Sequence, residues 1–261
     1  MCIRDSTMIE FSWVHLGFLM LAGFVGSFID AIVGGGGLIT LPAWMATGLP
    51  MAYALGSNKM ASVVGAITSF TTFMRSGRVD RRMLRCMPLS VIGSALGAVI
   101  ASSLPELLLR YIVIAALVLV ALYTFFKKDW GGADQIASFS RKDLVGILAM
   151  ILFLGAYDGF FGPGTGTFLI FGFLYFGYNF VTAAGNAKAM NLASNLGGIA
   201  AFLFLGKVYF IYAIPMALCE IVGAYLGAKI AISRGVGFIR TLYLIVTVLL
   251  IGKQVYEVFL R

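Results

Sequence analysis

Long apolar runs, each near the length that crosses a bilayer, alternate along this chain with short polar breaks. A membrane helix needs about 20 mainly apolar residues. That length predicts spans at 11–33, 52–74, 86–104, 108–126, 144–161, 183–205, 208–231 and 238–259. Two more apolar stretches, 38–50 and 166–181, are too short or too broken to span, and each follows a glycine-rich interruption. They read as re-entrant or half-helical segments, because irregular backbone at membrane depth must be buried in protein or line a cavity. The expected fold is an all-α polytopic membrane protein of about eight transmembrane helices.

Composition moves the same way. Of the 261 residues, 61% are hydrophobic and 11% charged, against about 45–50% and about 25% in soluble domains. The mean hydropathy is +0.98. A water-soluble fold of this size has no interior large enough for so much apolar surface. An ordinary soluble enzyme, a disordered chain and a nucleic-acid module are excluded on that ground. The net charge of +8 fits basic loops that set orientation and meet anionic lipid. Cys2, Cys86 and Cys219 lack paired spacing, and His15 is the one histidine. No metal site, cofactor or His-based catalytic set is expected from them. The opening MCIRDST is polar and breaks the pattern, so residues 1–7 are set apart as a non-native or disordered start. The run that follows is too long for a signal peptide and reads as the first membrane helix.

Two loops carry much of the water-facing charge. One holds Arg75, Arg78, Arg81, Arg82 and Arg85; the other, 127–143, holds Lys127, Lys128, Arg141 and Lys142. Lys and Arg decide orientation, so both loops are expected in the cytoplasm. With eight full spans, both termini then fall there too.

The chain also matches itself. GSFIDAIVGGGG (26–37) aligns with GAYDGFFGPGTG (155–166), GSNKM (56–60) with GNAKA (185–189), SGRV (76–79) with LGKV (205–208) and GSALG (93–97) with GAYLG (223–227). Asp30 falls on Asp158, Lys59 on Lys188 and Arg110 on Arg240, at offsets of 128 to 130. We read a 4+4 internal repeat, with residues 8–126 as the first half, 127–143 as a cytoplasmic linker and 144–261 as the second. Four spans per half is an even number, which predicts halves of the same orientation, related by an axis along the membrane normal.

Charge at membrane depth is costly and functional by default. No charge occurs in 31–58, 60–74, 159–187 or 189–206, so Asp30, Lys59, Asp158 and Lys188 stand alone inside apolar sequence. Beside them lie Gly34, Gly35, Gly36 and Gly37, and in the second half Gly162, Gly164, Thr165 and Gly166. Glycine costs about 1 kcal/mol and proline about 3 kcal/mol in a helix interior, so these breaks unwind the helices. Freed backbone N–H groups and half-helix N-termini then suit a small anion. Single GxxxG pairs, Gly93–Gly97 and Gly223–Gly227, read instead as close helix packing. Lys188, Asn191 and Asn195 share one helical face; Lys59 and Ser62 share another, with Asn58 just before. The lysines either coordinate an oxyanion or pair with Asp30 and Asp158, and those aspartates either carry protons or close ion pairs. Glu220, with no charged counterpart in the first half, is either a proton site or hydrogen-bonded to a neighbour.

These segments, GFVGSFIDAIVGGGGLITLP, ALGSNKM, GAYDGFFGPGTGTF and AGNAKAMNLASNLGG, resemble the TauE/SafE family of sulfite-exporter-like membrane permeases, and most closely its bacterial inner-membrane branch. The likeness runs from about residue 11 to 259. It implies a duplicated helical transporter of sulfur-containing anions: sulfite, thiosulfate, sulfonates or sulfoacetate. The function expected is a secondary transporter of such an anion by alternating access, held in the lipid bilayer of the inner membrane. Its partners are the substrate and lipid, not nucleic acid; homo-oligomerisation is left open. The rival readings are a passive anion channel and an intramembrane enzyme. No GxxxxGK[ST] pattern for an ATP motor occurs.

Overall fold

The computed structural model describes residues 11–126 and 140–233. The helices are α1 (Trp13–Val33), α2 (Gly37–Met45), α3 (Met51–Arg75), α4 (Met87–Ser103), α5 (Glu106–Phe126), α6 (Arg141–Phe160), α7 (Thr165–Tyr175), α8 (Phe180–Phe204) and α9 (Phe210–Ser233). A 3-10 turn, Met83–Cys86, leads into α4. No strand occurs among the described residues. The expected span 238–259, most of the 127–143 linker and residues 1–7 lie outside them.

Four stretches are both long and apolar enough to cross a membrane: Trp13–Val33, Met83–Ser103, Arg141–Phe160 and Phe210–Ser233. The burial pattern is that of a protein in lipid. Large apolar side chains such as Leu96, Leu119, Val145, Phe153 and Phe204 face outward, while Lys59, Asp158, Asn186, Lys188, Asn195 and Glu220 are buried. In water that surface would be an aggregation hazard; against acyl chains it is solvated.

Local chemistry sets the helix ends. The Ser140 hydroxyl and Asp143 carboxylate cap α6 reciprocally, and the Asn179 side chain accepts from the Thr182 N–H to start α8. After α1 the chain turns at Gly34 and Gly35, with φ of 73° and 95°, a backbone that glycine adopts freely. α2 then runs back along α1, so that a Cβ at Gly26 would meet Thr40. Gly162 and Gly164, φ 97° and 85°, do the same between α6 and α7. Both breaks are helical hairpins, as expected of 38–50 and 166–181.

The long helices α3 and α8 cross antiparallel, tied at both ends. Beyond the C-terminus of α3, Arg78 packs on Gly185 near the start of α8, and the Asp80 N–H donates to Asn186 Oδ1 at 2.8 Å. Beyond the C-terminus of α8, Lys207 packs on Gly56 near the start of α3, and the Tyr209 N–H donates to Ser57 Oγ at 2.8 Å. Each end has its own apolar core. One joins Leu41 and Trp44 of α2 to Ala54 and Phe202; the other joins Ile170 and Phe173 of α7 to Ala183 and Phe73. The outer contacts use glycine as expected. Gly93 and Gly97 of α4 seat the backbone of α6, and Gly223 and Gly227 of α9 seat that of α1.

Helix direction corrects one expectation. Matching helices in halves of the same orientation would run parallel, yet α3 and α8 run opposite ways. The reason is the α1–α2 hairpin, which turns the chain back before α3 begins. Ser12, whose N–H donates to Tyr212 Oη at 2.7 Å, therefore sits at the Lys207 end of the bundle, away from the Arg75–Arg85 loop. Counting α1 as a full crossing had placed the N-terminus beside that loop.

Candidate functional site

The crossing brings the isolated charges together. Lys59 of α3 pairs with Asp158 of α6 at 2.6 Å, and Lys188 of α8 pairs with Asp30 of α1 at 2.7 Å. The Lys188 ammonium also donates to the Asp30 carbonyl oxygen. Each lysine thus takes the aspartate of the other half. Lys188 is fully enclosed and the Asp158 side chain is 2% exposed, whereas the Asp30 side chain is 27% exposed. Desolvating such ions is offset only by close geometry and further hydrogen bonds; both pairs have the close geometry, and Lys188 has the added bond to the Asp30 carbonyl.

Asp30 owes its exposure to a cavity. Its walls come from α1 (Gly26, Ser27, Asp30), α2 with its N-terminal break (Gly36, Gly37, Thr40), α3 (Asn58, Lys59, Ser62, Ser69), α8 (Asn191, Asn195) and α9 (Glu220), with Asp158 and Gly162 completing them. The room left for the centres of water-sized groups is about 50 Å³, where one water needs about 10–15 Å³. Roughly four heavy atoms fit, the size of a small oxyanion. Gly36 and Gly37 present the N-terminus of α2, whose partial positive charge favours an anion, although the Gly36 N–H already reaches Asp30 Oδ1 at 3.3 Å.

Ten of the sixteen residues singled out from sequence line this cavity: Gly36, Gly37, Asn58, Lys59, Gly162, Asn191, Asn195, Asp30, Asp158 and Glu220. Six do not: Gly34, Gly35, Gly164, Thr165, Gly166 and Lys188. Gly34 and Gly166 instead press the two breaks together, where a Cβ on Gly166 would lie 2.8 Å from the Gly34 Cα. The Thr165 hydroxyl donates to the Gly162 carbonyl at 2.7 Å. Thr167 Oγ1 donates across to the Val33 carbonyl at 3.2 Å and ties the hairpins together. Sequence reasoning missed Ser27, Thr40 and Ser69. Ser69 follows from extending the Lys59–Ser62 face two further turns at helical spacing; Thr40 shows only as a lone hydroxyl in a short apolar helix.

Several polar atoms in these walls are unspent. Thr40 Oγ1, Asn58 Oδ1 and Glu220 Oε1 are buried without a hydrogen-bond partner. The expectation that Glu220 bonds a neighbour therefore fails for that oxygen. The side chain fits because a glycine stands on either side: a Cβ at Gly65 would lie 2.8 Å from its Oε2, and one at Gly23 3.3 Å from its Cγ. Away from the cavity, in the loop after α3, Asp80 pairs with Arg82 at 2.8 Å and accepts from Tyr178 Oη at 2.8 Å. Burial pushes the Asp80 carboxyl up, but the hydrogen bonds from Arg82 and Tyr178 outweigh it and hold it below its ordinary value.

A polar, charge-paired cavity inside a lipid-facing helical bundle defines a multi-pass membrane transporter. Relatives agree. The chain is 38% identical over 244 residues to a probable membrane transporter protein of Haemophilus influenzae, covering 93% of this chain and 95% of the relative. It is 35% identical to the probable membrane transporter protein ORF9 of a Sinorhizobium species, covering 90% of each. It is 32% identical to the probable membrane transporter protein YfcA of Escherichia coli K12, covering 93% of this chain and 90% of the relative. Residues 19–253 match the family described as sulfite exporter TauE/SafE, and the chain belongs to that family. No solved structure matches it.

Proposed function

We propose that this protein is a secondary transporter of a small sulfur oxyanion or organosulfonate, such as sulfite, thiosulfate or sulfoacetate, in a bacterial inner membrane. The observation that carries this reading is the cavity itself: room for a small oxyanion, lined by Lys59, Asn58, Ser62, Asn191 and the α2 N-terminus, deep in an apolar bundle. The family supplies the sulfur chemistry. Two hairpins and two crossed long helices of opposite direction support an inverted repeat, each half one hairpin followed by an odd number of crossings, with the Arg75–Arg85 loop in the cytoplasm. Access alternates when the two halves exchange conformations: the crevice at the α1–α2 hairpin closes as its counterpart at the α6–α7 hairpin opens.

The test is flux into proteoliposomes with a panel of sulfite, thiosulfate, methanesulfonate, sulfoacetate and chloride. Saturable uptake of one sulfur anion, accelerated by the same anion on the far side, supports a carrier. Uptake indifferent to the far side identifies a passive channel. No uptake of any anion by folded protein overturns the reading.

A further inference from the structure

The cavity's charges do not balance. Asp30 with Lys188 and Asp158 with Lys59 make two neutral pairs. Glu220 is left over, buried on α9, with no cation paired to it among the described residues. With every group ionised the set carries one net negative charge, and a bound monovalent anion would raise that to two inside an apolar bundle. Such a charge is not sustained at low dielectric. We propose that Glu220 is a proton-binding site and that anion and proton occupy this cavity together, one proton for each anion. This rests on the anion-transport reading above and adds the co-substrate.

Three observations converge on Glu220 rather than on the other acids. First, Asp30 and Asp158 each already have a lysine partner within 2.7 Å, whereas Glu220 Oε1 has none. Second, the groups that line the cavity with Glu220 supply it no unpaired cation. From α1 come Asp30 and Ser27, from α2 Thr40, from α3 Lys59, Ser62 and Ser69, from α6 Asp158, and from α8 Asn191 and Asn195. The lysine among them is committed to Asp158. Third, the duplication marks Glu220 as a specialisation. The 130-residue offset of Gly93 and Gly223 sets Ser90 opposite Glu220, and the Ser90 hydroxyl simply donates to the Met190 carbonyl at 2.9 Å. The ion pairs occur twice and close the fold; the carboxyl occurs once, in the cavity, between Gly23 and Gly65. The proton comes from water in the open cavity, forms an O–H bond on the carboxyl and returns to water when the cavity opens again.

The experiment uses the full chain in detergent with methanesulfonate, which does not itself titrate near neutral pH, and with thiosulfate. Calorimetry in two buffers of different ionisation enthalpy counts protons taken up on binding. The expected result is one proton per anion, with affinity falling about tenfold for each pH unit above the transition. In Glu220→Gln, a near-isosteric mimic of the protonated acid, binding persists, takes up no proton and is independent of pH. Proton uptake unchanged in Glu220→Gln, or none in the wild type, overturns the proposal. Infrared titration without any anion is the independent arm. A carboxyl C=O band should titrate in the wild type, vanish in Glu220→Gln and persist in Glu106→Gln. Identical titrations of wild type and Glu220→Gln overturn the proton site. A Glu220 band without binding of either anion retains the site, and overturns the pairing with these anions and the substrate class it rests on.

Discussion

The two buried ion pairs should fail unequally, because removing a lysine orphans aspartates in different surroundings. Lys59→Met keeps the aliphatic stem but strands Asp158, whose side chain is 2% exposed; Lys188→Met strands Asp30, whose side chain is 27% exposed on the cavity. Breaking a buried pair from one side costs about 3–5 kcal/mol. Lys59→Met should fall in the upper part of that range. Lys188→Met should fall about 1–2 kcal/mol lower, since cavity water solvates Asp30. Taking the acid away reverses the order: Asp30→Asn strands the fully enclosed Lys188, while Asp158→Asn leaves Lys59 at the cavity wall. Reversible unfolding in mixed micelles, with stability read from the denaturant midpoint, gives the four values. The doubles Lys59→Met/Asp158→Asn and Lys188→Met/Asp30→Asn should recover most of each loss, because no buried charge is then unpaired. The reasoning is refuted if Lys59→Met costs no more than Arg82→Met at the exposed Arg82–Asp80 pair, where about 0–1 kcal/mol is expected. Doubles no more stable than their singles would refute it equally.

The remaining predictions separate packing from function. Gly159→Ala drives a methyl into the Ser94 backbone and should cost about 3 kcal/mol or leave the protein unfolded, while Gly17→Ala, with open space around it, should gain up to about 1 kcal/mol of helix propensity; thermal melts of the two decide this. Thr40→Val removes a hydroxyl whose oxygen has no partner and should stabilise by about 1 kcal/mol while lowering anion uptake; lost stability or unchanged uptake would place Thr40 outside the site. The Asp80 carboxyl is held below its unfolded value. Its contribution is therefore present above about pH 4 and is lost as the pH falls through the folded value. Acid melts of wild type and Asp80→Asn should converge there.

Much of this arrangement was legible in the chain. Helix lengths, both glycine breaks and the isolation of Asp30, Lys59, Asp158 and Lys188 follow from hydropathy and from the cost of glycine and charge in a membrane helix. The duplicated spacing also offered pairing of lysines with aspartates as one of two readings, beside oxyanion binding. Which lysine takes which aspartate was not legible, because two equal acids and two equal bases admit both pairings until helix directions are known. Direction itself hinged on Gly34 and Gly35. A tetraglycine run permits both a kink that continues across the membrane and a full reversal, and the contact of Gly26 with Thr40 decides for reversal. Gly34, Gly166 and Thr165 were expected at the substrate, yet the two glycines hold hairpin to hairpin and Thr165 closes its own turn onto Gly162, since the same freedom that frees a backbone N–H also lets two backbones touch. Glu220 stood out by composition; its want of a partner needed the packing of Gly23 and Gly65 around it.

The duplicated frame and the cavity follow different logic. Everything that occurs twice, the crossed ion pairs, the loops seated on Gly56 and Gly185 and the two end cores, ties one half to the other. None of it favours one side of the membrane. The polar cavity wall breaks this symmetry. At the 129-residue offset Ser27, Thr40 and Asn58 have Ala156, Leu169 and Ala187 as counterparts, and Ser90 answers Glu220. The first-half positions thus bring hydroxyls and an amide to this cavity where the matching second-half positions are apolar. If the halves exchange conformations, the two open states offer an anion unequal surroundings, and its affinity should differ between the two sides. Substrate titration on right-side-out and inside-out proteoliposomes measures that ratio directly. A ratio of one would mean that the polar residues of the α1–α2 crevice stay with the substrate through the cycle, and that the α6–α7 crevice serves only as frame.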